Sequence, residues 1–114
     1  MRGAVDRRDI RDLVHFGEDA PRRAVLYETG RLWAEVVCLQ GAQRIGPIAD
    51  SDADAIVAVL AGRVSVQVGR SRARGGQWES VLVPAGEELT VANASDEPSV
   101  LLVMTAPPPR RDAD

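Results

Sequence analysis

Pro84-Ala85-Gly86-Glu87-Glu88-Leu89-Thr90-Val91-Ala92-Asn93 is the stretch of this chain that decides its fold. It reads P-x-G-x2-L-x3-N, a proline and glycine followed by a short run that ends at an asparagine. Proline and glycine favour a turn, and apolar residues at alternate positions favour a strand with one buried face. We therefore predict a turn that leads directly into a strand, with Leu89 and Val91 on one face.

The same pattern of short apolar runs and turn residues extends over residues 24–105. Val64, Val66 and Val68 alternate with polar residues, which predicts a strand whose valines point into a core. Repeated β-branched runs with glycine, proline and asparagine between them are typical of an all-β sandwich or barrel. The three prolines at 107–109 then end the last strand, because proline cannot donate a hydrogen bond to a neighbouring strand.

Two of the apolar runs differ from this alternation. Residues 56–60 and 100–104 are apolar at both parities, which predicts strands that are covered on both faces. One cover is the barrel interior. The other is either the N-terminal segment or a second copy of the chain, and we favour the second copy and hence a homodimer.

Composition limits the classes of function that the chain can have. Its 114 residues suffice for one domain, and its net charge of −3 comes without a basic block that would indicate nucleic acid binding. Cys38 is the only cysteine, which excludes an internal disulfide and fits a reducing compartment. No segment is long and apolar enough for a membrane span. We expect a cytoplasmic protein without nucleic acid or membrane partners.

Residues 84–93 resemble the second half of the second cupin motif, P-x-G-x2-H-x3-N, with Leu89 in place of the histidine. Gly41 and Gly62 match the glycines that open and close the first motif, G-x5-H-x-H-x(3,4)-E-x6-G. The chain thus resembles a small single-domain cupin. The resemblance implies an all-β, double-stranded β-barrel (jelly roll) over residues 24–108. Residues 1–23 then form an N-terminal extension and residues 109–114 a flexible tail.

The resemblance also identifies positions at which cupins hold a metal ion. They fall at Pro47, Ala49, Ala55 (or Asp54, since the register of residues 41–55 leaves both open) and Leu89. The three apolar side chains at 49, 55 and 89 and the proline have no lone pair for a metal, and one carboxylate alone cannot hold a transition metal. We therefore expect degenerate metal-binding motifs and no cofactor.

Three further features have weaker functional interpretations. Residues 50–54 begin like a calcium loop but lack its glycine and its final glutamate, so we interpret them as an acidic loop at the barrel mouth. Arg70, Arg72 and Arg74 form a basic hairpin tip that we expect to be a flexible, solvated loop, with an anion-binding role as the alternative. Cys38 lies in an apolar run, which favours a buried, unreactive thiol.

These observations leave three hypotheses for function. The first, which we favour, is a metal-independent small-molecule-binding or regulatory protein, with a small apolar organic ligand in the barrel. The second is a metal-free isomerase, cyclase or lyase that uses Glu35 or Asp54 as general acid or base. The third is a structural dimer with a filled barrel. No catalytic residue is assigned, and the residues expected to line a ligand pocket are Trp33, Glu35, Pro47, Ala49, Asp54, Leu89 and Val91.

Overall fold

The computed structural model describes residues 5–109, which form nine strands. The strands are β1 (Arg22–Glu28), β2 (Trp33–Leu39), β3 (Arg44–Ile48), β4 (Asp54–Ala61), β5 (Arg63–Val68), β6 (Ser71–Gly76), β7 (Ser80–Val83), β8 (Leu89–Ala92) and β9 (Ser99–Ala106). Sheet one has the order β1-β2-β9-β4-β7, and sheet two has the order β3-β8-β5-β6. All pairings are antiparallel. The predicted all-β fold is confirmed.

The core lies between the two sheets, and both contribute alternate residues to it. Val64 and Val66 of β5 are buried there as predicted, and Val68 packs against the same cluster. Leu89 and Val91 face the same interior. Successive side chains of a strand point to opposite faces, so residues two apart share a face. The buried core residues are Val37, Leu39, Ile45, Val57, Val59, Val64, Val66, Val83, Leu89, Val91, Leu101 and Val103.

Sheet two contains two strands that the apolar pattern does not predict. Arg70 lies in the turn between β5 and β6, but the prediction of a flexible basic loop is wrong for Arg72 and Arg74, because β6 pairs along its whole length with β5. β3 includes Gly46 and Pro47, yet it pairs with β8 around an irregularity in the register. Gly46 has φ +102°, and a Cβ there would overlap the carbonyl oxygen of Leu89, so only glycine fits this close approach.

The N-terminal segment covers part of the outer face of sheet one. The segment contains a single 3-10 turn, Ile10–Leu13, and Asp9 caps it by accepting a hydrogen bond from the Arg11 amide at 2.9 Å. A second apolar cluster on this face includes buried Cys38, and Leu13, Val14 and Phe16 pack against it. Burial raises the pKa of the Cys38 thiol, as expected for an unreactive cysteine.

The two strands expected to be covered on both faces differ in their outer cover. The outer residues of β9, Val100, Leu102 and Met104, belong to the second cluster. The N-terminal segment, and not the second copy that we favoured from the sequence, therefore covers them. Ile56 of β4, the cross-strand partner of Met104, remains 39% exposed. None of the described residues forms a helix long and apolar enough to span a membrane.

An exposed apolar patch therefore remains at the β4 and β7 side of sheet one. Ile56 pairs across the strands with Leu82, which is 63% exposed. Trp78, in the loop before β7, is 78% exposed and has φ 74°, a conformation that bulky residues rarely adopt. Exposed large apolar side chains such as these are typical of protein contacts. We propose that a second copy of the chain buries this patch.

In sedimentation equilibrium at micromolar concentration, we expect twice the chain mass of 12.2 kDa. Leu82→Asp should shift the protein to the monomer, because a charge would have to be buried in the contact. Leu32→Asp, a matched change at an exposed leucine in the β1–β2 turn, should leave the dimer intact. A wild-type monomer at this concentration would contradict the homodimer.

Candidate functional site

A cavity of about 390 Å3 opens between the two sheets at the end where β3 joins β4. Its walls are apolar side chains from both sheets, and its mouth is formed by residues 49–53 and by the loop after β7. A volume in the range of about 300–1,000 Å3 is typical of small-molecule sites. The cavity is lined by Arg23, Glu35, Ile45, Ile48, Ala49, Asp50, Ser51, Asp52, Ala53, Ala55, Val83, Pro84, Glu87, Leu89, Val103, Thr105 and Pro109.

Glu35 is the buried carboxylate of this cavity, with 5% of its surface exposed. Nε and Nη2 of Arg23 donate to its two carboxylate oxygens at 2.9 Å each, in a bidentate ion pair. The indole Nε1 of Trp33 donates to Oε2 of Glu35 at 3.2 Å. A buried charge is tolerated only when it is paired and hydrogen-bonded, and Arg23 with Trp33 supplies both conditions for Glu35.

The ion pair also fixes the charge of Arg23. Hydrogen bonding to the Glu35 carboxylate raises the pKa of the guanidinium above its usual value, against the opposing effect of burial. The side chain of Arg23 is about half exposed, so water reaches one side of the pair. The cavity thus presents one anchored acceptor group and one anchored donor group beside apolar walls.

Two loops that are bonded to each other shape the mouth. The Gly86 amide donates to the Asp50 carbonyl at 2.9 Å, and the Ala85 amide donates to Oδ1 of Asp54 at 2.8 Å. Within the first loop, the Asp52 amide donates to Oδ1 of Asp50 at 2.8 Å. These side-chain to backbone turns agree with the predicted acidic loop at the barrel mouth.

The structure brings three of the seven predicted pocket residues to the cavity. Glu35, Ala49 and Leu89 line it. The other four do not, for different reasons. Val91 is fully buried deeper in the core, Pro47 is exposed, and exposed Asp54 caps the loop at Ala85. Trp33 reaches the site only through its hydrogen bond to Glu35. The cavity lining does not support the predicted pocket positions of Trp33, Pro47, Asp54 and Val91.

Three of the four positions that the resemblance assigned to metal ligands converge, although their side chains are apolar, and the fourth, Pro47, lies outside the cavity. Ala49, Ala55 and Leu89 come from the β3–β4 loop, β4 and β8, and all three line the cavity. The cavity therefore lies where the resemblance places the metal-ligand positions 49, 55 and 89.

Comparison with known proteins identifies the family. The sequence model described as the cupin domain matches residues 35–105, which is more than half of the chain. The chain belongs to the cupin domain family. A comparison with curated proteins finds no match.

Solved structures share the fold over nearly the whole of this cupin. The TT1209 protein of Thermus thermophilus is 25% identical with a TM-score of 0.87, covering 94% of this chain and 100% of that chain. A double-stranded β-helix protein of Klebsiella pneumoniae is 17% identical with a TM-score of 0.84, covering 91% of each chain. An RmlC-like cupin of Desulfovibrio desulfuricans is 16% identical with a TM-score of 0.79, covering 92% of this chain and 99% of that chain.

Three of the positions that the resemblance assigns to metal ligands carry side chains that could not ligate a metal ion. Methyl and isobutyl groups at Ala49, Ala55 and Leu89 have no donor atoms. Across residues 5–109, no three histidine, cysteine, aspartate or glutamate side chains are grouped so that they could hold a metal ion. Glu35, the buried carboxylate at the site, already has Arg23 as its counter-ion.

Sequence reasoning missed Arg23, which it placed in the N-terminal extension, whereas β1 begins one residue earlier at Arg22. The sequence did indicate that Glu35 has a cationic partner. Glu35 lies within an apolar strand, and a carboxylate there requires a cationic partner. The identity of that partner depends on the pairing of β1 with β2, which contains an irregularity between Val25 and Tyr27.

Leu89→Ala should lower the free energy of unfolding by about 2–3 kcal/mol, the lower part of the usual range, because Leu89 already borders a cavity. Its exposure is 5%. Leu32→Ala, at a leucine that is 37% exposed, should cost about 0.5 kcal/mol or less. Denaturant melts of both variants measure the difference. Equal losses would contradict the wall position of Leu89.

Arg23→Met should lower the free energy of unfolding by about 1–3 kcal/mol, because Glu35 would keep its buried charge without its cation. The half exposure of Arg23 limits this loss. The double variant Arg23→Met/Glu35→Leu should be more stable than the single variant, since the unpaired charge is gone. Denaturant melts would refute this interpretation if the second substitution caused a further loss. Arg31→Met, at an exposed arginine, serves as the control.

Proposed function

We propose that this cupin binds a small, largely apolar organic molecule without a metal ion. The observation that carries the proposal is the cavity itself, in which buried Glu35 and half-exposed Arg23 form an ion pair beside apolar walls at positions that the resemblance assigns to metal ligands. Apolar walls supply affinity by burying ligand surface, and a few fixed polar groups orient the ligand.

The polar groups suggest what the ligand carries at its polar end. Two of the five N–H donors of Arg23 bond to Glu35, so others are available on its exposed side. Oε1 of Glu35 accepts one of these bonds and has capacity for a second. A hydroxyl or amide group could satisfy both partners. The acidic side chains at the mouth, Asp50, Asp52 and Glu87, disfavour a strongly anionic ligand.

The two other hypotheses receive less support. A barrel filled by side chains does not agree with a cavity of about 390 Å3. The metal-free enzyme would use Glu35 or Asp54, but Asp54 points to the Ala85 amide and lies outside the cavity lining. Glu35 is engaged by Arg23. We therefore propose binding without catalysis.

The neutral fluorescent probe N-phenyl-1-naphthylamine should bind with a saturable rise in emission. Ala55→Leu should weaken this binding by roughly tenfold, because the larger side chain occupies the cavity at the cost usual for overpacking. Ala58→Leu is the matched control, since Ala58 lies on the same strand with the opposite orientation. Equal affinities in the two variants would place the probe outside the cavity and contradict the proposal.

Treatment with EDTA should leave the probe's affinity unchanged, because Ala49, Ala55 and Leu89 offer no metal ligands. Elemental analysis after metal-supplemented expression serves as the independent measurement. A stoichiometric transition metal in the purified protein, or loss of probe binding with EDTA, would contradict metal-independent binding.

A further inference from the structure

The outer face of sheet two carries two arginines at diagonal corners of a small-residue floor. Arg63 of β5 lies opposite Gly76 of β6, and Ser65 lies opposite Arg74. Directly opposed residues share a face, and so do residues two apart on a strand, so all four positions face outward. Val64, between them, points into the core. Diagonal neighbours in such a pair of strands lie about 7–8 Å apart at the backbone.

These four residues border a depression of about 480 Å3, which is separate from the cavity between the sheets. Ala94 and Ser95, in the loop before β9, form its wall. Gly76 has no side chain, and a Cβ there would contact only the Glu79 carboxylate, at 3.7 Å. Between the two long arginine side chains, the floor of the depression therefore carries only small residues.

Neither arginine forms an ion pair within the described residues. The ion pairs found there join Arg8 to Asp6, Arg11 to Asp9 and Arg23 to Glu35. Arg72, the next outward residue of β6, donates to Gln67.

One carboxylate, that of Glu79, lines the depression that Arg63 and Arg74 share. Glu79 lies at its rim, where its Oε1 accepts a hydrogen bond from the Gly76 amide at 2.7 Å. Asp96 and Glu97 border the adjoining surface beside Arg63. Among the described residues, the Glu79 carboxylate bonds to the Gly76 amide and forms no ion pair with Arg63 or Arg74. A bound anion would pair with both arginines.

We propose that this depression is a binding site for a phosphate monoester. Two guanidinium groups that approach from opposite corners can each bond to a different pair of oxygens, which a tetrahedral phosphate offers and a planar carboxylate does not. The Ser65 hydroxyl, on the floor between them, supplies a further donor. This assigns to the arginine-rich hairpin an anion-binding role that is independent of the ligand proposed for the cavity.

The test is a titration of the full chain with inorganic phosphate and with phenyl phosphate at low ionic strength, followed by phosphorus NMR line width. Arg63→Gln and Arg74→Gln should each weaken binding by about tenfold or more, the effect of losing a charge-assisted hydrogen bond. Glu79→Gln should tighten it severalfold, because a negative charge is removed while the acceptor for the Gly76 amide is kept. Acetate at the same concentrations should compete poorly.

Arg31→Gln is the control for net charge, since Arg31 is exposed in the β1–β2 turn, away from sheet two. Saturable binding that responds to the substitutions at 63, 74 and 79 but not at 31 supports the site. The proposal is overturned if wild type shows no saturable binding, if Arg31→Gln weakens binding as much as Arg63→Gln, or if acetate competes as well as phenyl phosphate. Thermal melts verify that the exposed substitutions leave the fold intact.

Discussion

The hydrogen bonds of Asn93 connect the two sheets, and the rest of the fold depends on that connection. Asn93 is buried at the end of β8, and its side-chain amide donates to the carbonyls of Leu39 in sheet one and Glu97 in the last loop. Its side-chain oxygen accepts from the amide and hydroxyl of Ser95. Replacing it with an apolar residue would leave buried carbonyls without donors, which is costly. Asn93, the last residue of the P-x-G-x2-L-x3-N stretch, thus links sheet two to sheet one.

This fastening explains why so much of the fold is predictable from one short stretch. Once Asn93 fixes the end of β8, strand alternation places Val91 and Leu89 in the interior. The turn before β8 then brings Gly86 to the Asp50 carbonyl, so the mouth of the cavity follows from the same ten residues. The alternating valines of β5, which pairs with β8, extend the same inward layer of sheet two. Fold class, inward faces and cavity position are therefore all encoded locally.

The remaining features depend on pairing, which local sequence does not specify. β6 is rich in arginine and glycine, and it is a strand because β5 holds it by backbone hydrogen bonds. β3 likewise depends on β8. Arg23 faces the cavity because of the register of β1 against β2, and the irregularity after Val25 changes which later side chains face outward. A partner for Glu35 could be expected from burial alone, but its identity required the register.

The two tryptophans of the chain differ in their surroundings, so that intrinsic fluorescence can report on two separate regions of the protein. Trp33 is half-buried and its indole N–H bonds to the carboxylate that lines the cavity, whereas Trp78 belongs to the exposed apolar patch, in the loop before β7. Indole emission depends on local polarity and on hydrogen bonding. Events inside the barrel should therefore change the spectrum of one fluorophore, and events at the outer apolar patch should change the other. Because the two tryptophans lie in different surroundings, a spectral change can be assigned to one of them without an added label.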